Sequence, residues 1–255
     1  MEITTVTLVG YLAALEASVG TVWAAVVADR KNKIPNAAVA ATSGIALIFV
    51  LAAMMLRTAS GAPTVTLAHA LPWFFLALCS TYNFLVWMGQ PGSRSTLGIV
   101  SGMTGAFAAL FEEGSLIPNI SGPLFYAPFF LASISLGTFL GGGVALHWYL
   151  KVPNVHPVMA RRLVILGLAS ALISAALQVL AVVTAQDLLP STTLGLTGST
   201  ILEWAIPISV ASWALWAISR QELRKARLLL YLASLICGIS LIANKWLILL
   251  TGKVF

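Results

Sequence analysis

Charge is what this sequence has least of. Only 9% of its 255 residues are charged, whereas a soluble domain carries about a quarter to wet its surface. A water-soluble globule is therefore excluded. Cysteine is nearly absent, and Cys79 and Cys237 both fall inside apolar runs, which excludes a disulfide framework or a CxxC metal site. The chain has no P-loop, no zincin-type metal motif and no nucleophile elbow, so the common signatures of nucleotide, zinc and serine chemistry are missing. What is present in abundance is hydrocarbon. Hydrophobic residues make up 59% of the chain, and the mean hydropathy is +0.96. The natural solvent of such a chain is a bilayer, which a helix of about 20 apolar residues can cross.

Eight apolar runs can be marked, at 6–28, 37–57, 67–89, 96–112, 124–150, 162–186, 198–219 and 227–250. Turn formers separate them, as in KNKIPN, TASGAP, GQPGSRS, EEGSLIPNISGP and KVPNVHP. The connections are too short to hold a soluble domain. The expectation is an all-α polytopic membrane protein, a single membrane domain over 1–255 with eight transmembrane helices. The first run has no basic segment before it and no small-residue cleavage site, so it reads as a retained span.

The net charge of +6 sits in short clusters between the apolar runs. That pattern sets topology and is not that of a nucleic-acid surface. One side holds Arg30, Lys31, Lys33, Arg94, Lys151, Arg161, Arg162, Arg220, Arg224, Lys225 and Arg227; the other holds Arg57, Lys245 and Lys253. Cations are retained on the cytoplasmic side during insertion. Both termini are thus expected outside, in the cytoplasmic (inner) membrane of a prokaryote. The cation-poor outer surface, which includes Glu112 and Glu113, is suited to docking.

A four-span displacement recurs along the chain. SVGT at 18–21 matches SLGT at 135–138, LPW at 71–73 matches LEW at 202–204, and Ser101 and Gly105 match Ser234 and Gly238. These pairs suggest tandem repeats, 1–120 and 121–255, running in the same direction because four is an even number of spans. Gly137, Gly141 and the GGG at 141–143 leave a groove for close helix packing.

The ionisable residues within the spans gather in the outer leaflet. Glu16 lies about ten residues into an inward-running span, at 1.5 Å per residue close to mid-membrane. Glu203 occupies the outer half of the seventh span, Lys245 the outer end of the eighth, and Glu112 and Glu113 cap the fourth. His69 opens the third span from the same side. A lone ionised carboxylate in the bilayer costs several kcal/mol unless it is paired, protonated or facing a polar cavity. Glu203 and Lys245, on consecutive helices, are expected to neutralise each other. Glu16, with no evident partner, is expected to act as a proton carrier, and Glu203 is the second candidate. A six-coordinate haem in a helix bundle needs two axial ligands at one depth on facing helices, whereas His69 is near the outer end, His147 near the inner end and His156 in an inner loop. His147-Trp148-Tyr149 reads as an interfacial belt.

Span count, outward termini, absent haem ligands and outer-leaflet acids together resemble the haem-free membrane-anchor subunits of the dimethyl sulfoxide reductase and polysulfide reductase type. The resemblance implies two four-helix bundles and a menaquinone or ubiquinone site near the outer face. It also implies iron–sulfur and catalytic partner subunits docked on that face, with no haem or metal bound by this chain. No family motif matches residue by residue. The quinone-site candidates His69, Glu112 and Lys245, like the proton carriers Glu16 and Glu203, come from the residue reading alone. Two other readings stay open: a proton- or cation-coupled small-solute transporter, and a structural assembly subunit without a site.

Overall fold

The protein, as a computed structural model, is described over residues 3–29, 36–61, 66–116, 123–151, 157–184 and 190–251. Eight α-helices fill these stretches: α1 (Ile3–Asp29), α2 (Asn36–Ser60), α3 (Thr66–Trp87), α4 (Pro91–Leu116), α5 (Pro123–Tyr149), α6 (Val158–Thr184), α7 (Pro190–Ser219) and α8 (Leu223–Thr251). Each coincides with one of the eight apolar runs. Over the described residues, six of them, α1, α2, α3, α5, α6 and α8, are long and apolar enough to cross a membrane. This is an integral membrane protein. Large apolar side chains such as Ile48, Met55, Phe74, Trp87, Leu228 and Ile239 stand exposed around the bundle, as lipid-facing positions should.

Helix α1 is mostly buried from Val9 to Ala28, with Gly10, Ala14, Trp23 and Val27 half-buried, and packs on α2, α4, α5 and α8. Helix α5 is its counterpart, packing on α1, α6 and α8, while α3 joins α2 to α4 and α7 joins α6 to α8. A helix enclosed by others needs no polar face, which explains why neither α1 nor α5 has one. The two cross in direct backbone contact. A Cβ on Gly20 would stand 1.7 Å from the Ser133 carbonyl oxygen, and one on Gly137 would stand 2.0 Å from the Gly20 carbonyl carbon. Only glycine fits at either position. The GGG run serves packing as well: Gly141 meets Ala24, Gly142 meets Leu230, and the Tyr231 ring lies over Gly143.

The interior carries several hydroxyls. Thr21, Thr42 and Ser133 donate to the carbonyls of Ala17, Ala38 and Phe129 in their own helices, so burying them leaves no unmet donor. Ser174 Oγ donates across helices to the Pro128 carbonyl at 2.8 Å, and Ser135 Oγ to that of Gly167 at 3.1 Å. At the bundle end where α5 and α7 finish, Trp148, Trp213 and Trp216 lie beneath Lys151, Lys225 and Arg220 in cation–π contacts of 5.0–5.6 Å. Such a ring of indoles and cations marks a headgroup boundary. That end is termed lower, and the end where α1 starts and α8 finishes is termed upper.

A buried charge triad beside an apolar groove

Helix α1 begins at Ile3, which sets Glu16 at the middle of its 27 residues. The expectation that Glu16 lacks a partner is corrected here. Lys245 Nζ, reaching from α8, lies 2.6 Å from Glu16 Oε1. The same ammonium donates to Glu113 Oε1 on α4, and it stands 3.8 Å from the centroid of the Phe129 ring on α5. Four helices thus meet at one lysine. Lys245, Glu113 and Glu16 are 0%, 2% and 3% exposed, so no water shell shares their charge. Both Glu16 oxygens lack a well-aligned hydrogen-bond donor, since Lys245 approaches as an ion pair out of line.

Glu112 and Glu113 were expected to cap α4. They are buried instead, because neighbouring residues on a helix point about 100° apart and both directions lead inward here. Glu113 turns to Lys245, while Glu112 Oε2 lies 2.6 Å from Arg57 Nη1 of α2. That guanidinium also donates to Tyr11 Oη at 3.3 Å and packs 5.4 Å from its ring centroid. At the lower end Arg94 Nη2 pairs with Asp29 Oδ1 at 2.6 Å, and Arg94 Nη1 donates to Asn36 Oδ1 at 3.2 Å. Both of these pairs balance, one cation to one anion. The triad does not. Among the described residues two carboxyls share one ammonium, and a sealed site in lipid does not retain an uncompensated anion at several kcal/mol. The arrangement is therefore suited to taking up one proton and releasing it again.

Two spaces adjoin the triad. A groove of about 600 Å³ runs between α1, α5 and α8, walled by Gly10, Ala13, Ala17, Leu140, Gly238 and Leu241, among others. Ala13 precedes Glu16 by about one turn, Ala17 follows it directly, and Leu241 precedes Lys245 by about one turn. Small residues on α1 and α8 are what hold the groove open. The second space, of about 10 Å³, is lined by Glu16, Glu113, Tyr126, Ser133 and surrounding apolar groups.

The structure brings together Glu16 and Lys245 among the sequence candidates, and places Glu112 in the adjoining pair. The partners described for Lys245 are Glu16 and Glu113; the expected partner Glu203, and His69, have side chains that lie outside the described residues, as do His156 and the outer connections. His147 Nδ1 is 3.2 Å from Arg227 Nη1 at the lower end, away from the triad. Sequence reasoning passed over Glu113 as a partner of Lys245, and Arg57, Asp29 and Arg94 as buried ions. A single cation closing an apolar helix, as Arg57 does in α2, was the available signal. No family model, curated protein or solved structure matches this chain.

Proposed function

We propose that this protein is the quinone- or quinol-interacting membrane-anchor subunit of a respiratory oxidoreductase, resembling the haem-free dimethyl sulfoxide reductase and polysulfide reductase anchors. The observation that carries this reading is the charge-unbalanced triad of Glu16, Glu113 and Lys245 set one helical turn from an apolar groove of about 600 Å³. Quinone chemistry needs both. The isoprenoid tail needs an apolar slot open to lipid, and the ring oxygens need a proton donor or acceptor. Oxidation of a quinol releases two electrons and two protons. The electrons pass to iron–sulfur centres of partner subunits on the outer face, and the triad accepts the protons one at a time.

Eight spans with both termini outside follow from the cation distribution, and the upper end is then the outer one. Helices α4 and α7 cross with the rest, since each packs along a neighbour that spans. The tandem four-helix repeat is supported by Gly20 and Gly137, which share an offset in the sequence and meet at the α1–α5 crossing. On that alignment Lys245 replaces Glu112, so the second half presents a cation where the first presents an anion. The triad then ties the halves together. The membrane is the prokaryotic cytoplasmic membrane.

The groove gives the direct test. A leucine at Gly238 would project into it, as the nearest atom to a Cβ there is Leu136 Cδ1 at 3.5 Å. Gly238→Leu should weaken binding of a fluorescence-quenching quinol analogue by at least tenfold, about 1.4 kcal/mol. Unchanged binding in a folded variant would remove the groove from the proposal. Proton-coupled solute flux into vesicles, with no quinone requirement, would favour a transporter instead.

A further inference from the structure

The triad is sealed from both faces, so a proton that reaches it needs a way out. A cavity of about 10 Å³ adjoins the triad between α1, α4 and α5, with Val19, Ala106, Ala109 and Ser133 below the carboxyls and Tyr126 at its upper end. Its volume matches the roughly 10–15 Å³ that one water needs at this measure. Its walls are apolar except at four places: the Glu16 and Glu113 carboxyls, the Ser133 hydroxyl and Tyr126. Ser133 Oγ donates to the Phe129 carbonyl at 2.9 Å, which leaves its oxygen able to accept. Glu16 is buried with both oxygens lacking an aligned donor. A water in the cavity has several polar groups to bond, the usual condition for a buried one.

Tyr126 closes the cavity on the outer side. It begins the spanning part of α5, is partly exposed, and its Oη lies 3.2 Å from where a Cβ on Gly114 would stand. Gly114 follows Glu113 directly, and its lack of a side chain is what lets the phenol reach over the end of α4. Among the described residues, the ionisable groups facing Glu16 are Lys245 from α8, Glu113 from α4 and Tyr126 from α5. Arg57 of α2 is engaged with Glu112. Of these, Tyr126 alone is partly open to the surface.

We infer that the cavity binds one water, and that this water and the Tyr126 hydroxyl form the proton path between the Glu16–Glu113 pair and the outer surface. The transfer conserves charge along the way. A carboxyl gives its proton to the water, the water passes one of its own to the phenol oxygen, and the phenol releases its proton outward. Inward transfer runs the same steps in reverse. The inference rests on the triad's binding a proton, as proposed above, but not on the quinone.

The test uses the full chain in lipid nanodiscs without quinone. A protonated carboxyl gives a C=O stretching band in the infrared, which shifts when its proton exchanges for deuterium. Glu16→Gln or Glu113→Gln should diminish that band and so assign it to the triad. After a jump into D2O, Tyr126→Phe should retain the band yet slow its shift by about tenfold, equivalent to ~1.4 kcal/mol in barrier. Ala109→Val, whose added carbons fill the cavity, should slow it similarly, and Tyr82→Phe on α3, which touches neither the cavity nor the groove, should leave the rate unchanged. A wild-type rate in both Tyr126→Phe and Ala109→Val would overturn the path while leaving the triad's proton in place. Absence of the band from the wild-type protein would overturn the path together with the proton-binding reading beneath it.

Discussion

Replacing Lys245 by Met removes the cation from a site that holds two carboxyls, while keeping much of the side chain's volume. With Lys245 present the two carboxyls share one cation; without it both stand unpaired in a site that water does not reach. Lys245→Met should therefore cost about 3–5 kcal/mol, the range for removing one partner of a buried ion pair. Thermal unfolding can be followed with a thiol-reactive dye, because Cys79 and Cys237 are both buried until the bundle opens. Adding Glu113→Gln to Lys245→Met removes one of the unpaired carboxyls and should recover about 1 kcal/mol or more of that loss, the coupling expected of residues in contact. Wild-type unfolding of Lys245→Met, or no recovery in the double variant, would refute the charge pairing on which the triad rests.

Two further outcomes follow from the fold. Gly137→Ala would put a methyl 2.0 Å from the Gly20 carbonyl carbon; relief requires α1 and α5 to part by roughly 1.5 Å and should cost about 3 kcal/mol or more, whereas Gly92→Ala, with nothing within 4 Å of its Cβ, should unfold like the wild type. Reporter fusions after Lys33, Arg94, His156 and Lys225 should report cytoplasm and those near Ser60, Ile117 and Thr193 the outside, and a consistent reversal would invert the membrane orientation and the outward direction of the proton path.

The helices were legible because a bilayer demands long apolar runs and leaves little choice of secondary structure. Their starts were less so. Prolines 91, 123 and 190 stood in segments read as connections, yet each opens a helix, since proline's missing N–H costs nothing in the first turn. The turn between α7 and α8 sets Gln221 at φ 62°, a conformation that sequence signals lead one to expect of glycine. In the site, the presence of acids within the helices was readable, but the pairing of Glu16 and Glu113 with Lys245 was not. Lys245 and Glu113 are 132 residues apart, and which of Glu112 and Glu113 faces α8 depends on the rotation of α4 about its own axis. Expecting Lys245 to pair within consecutive helices favoured Glu203 over acids from the first half of the chain. The α1–α5 crossing brings that first half within reach.

The central claim is that Glu16 carries a proton for quinone chemistry, and the measurement that tests it most directly is quinol-dependent turnover of the assembled complex with Glu16→Gln. Glutamine keeps the size and hydrogen-bonding capacity of a protonated carboxyl but cannot give up a proton at neutral pH. Turnover should fall about a hundredfold or more, the usual contribution of a positioned proton-transfer group. Assembly should stay near normal, and partner activity with an artificial electron donor should survive because that route bypasses the membrane subunit. A quinol-dependent rate near wild type would contradict the account and leave Glu16 as a structural partner of Lys245.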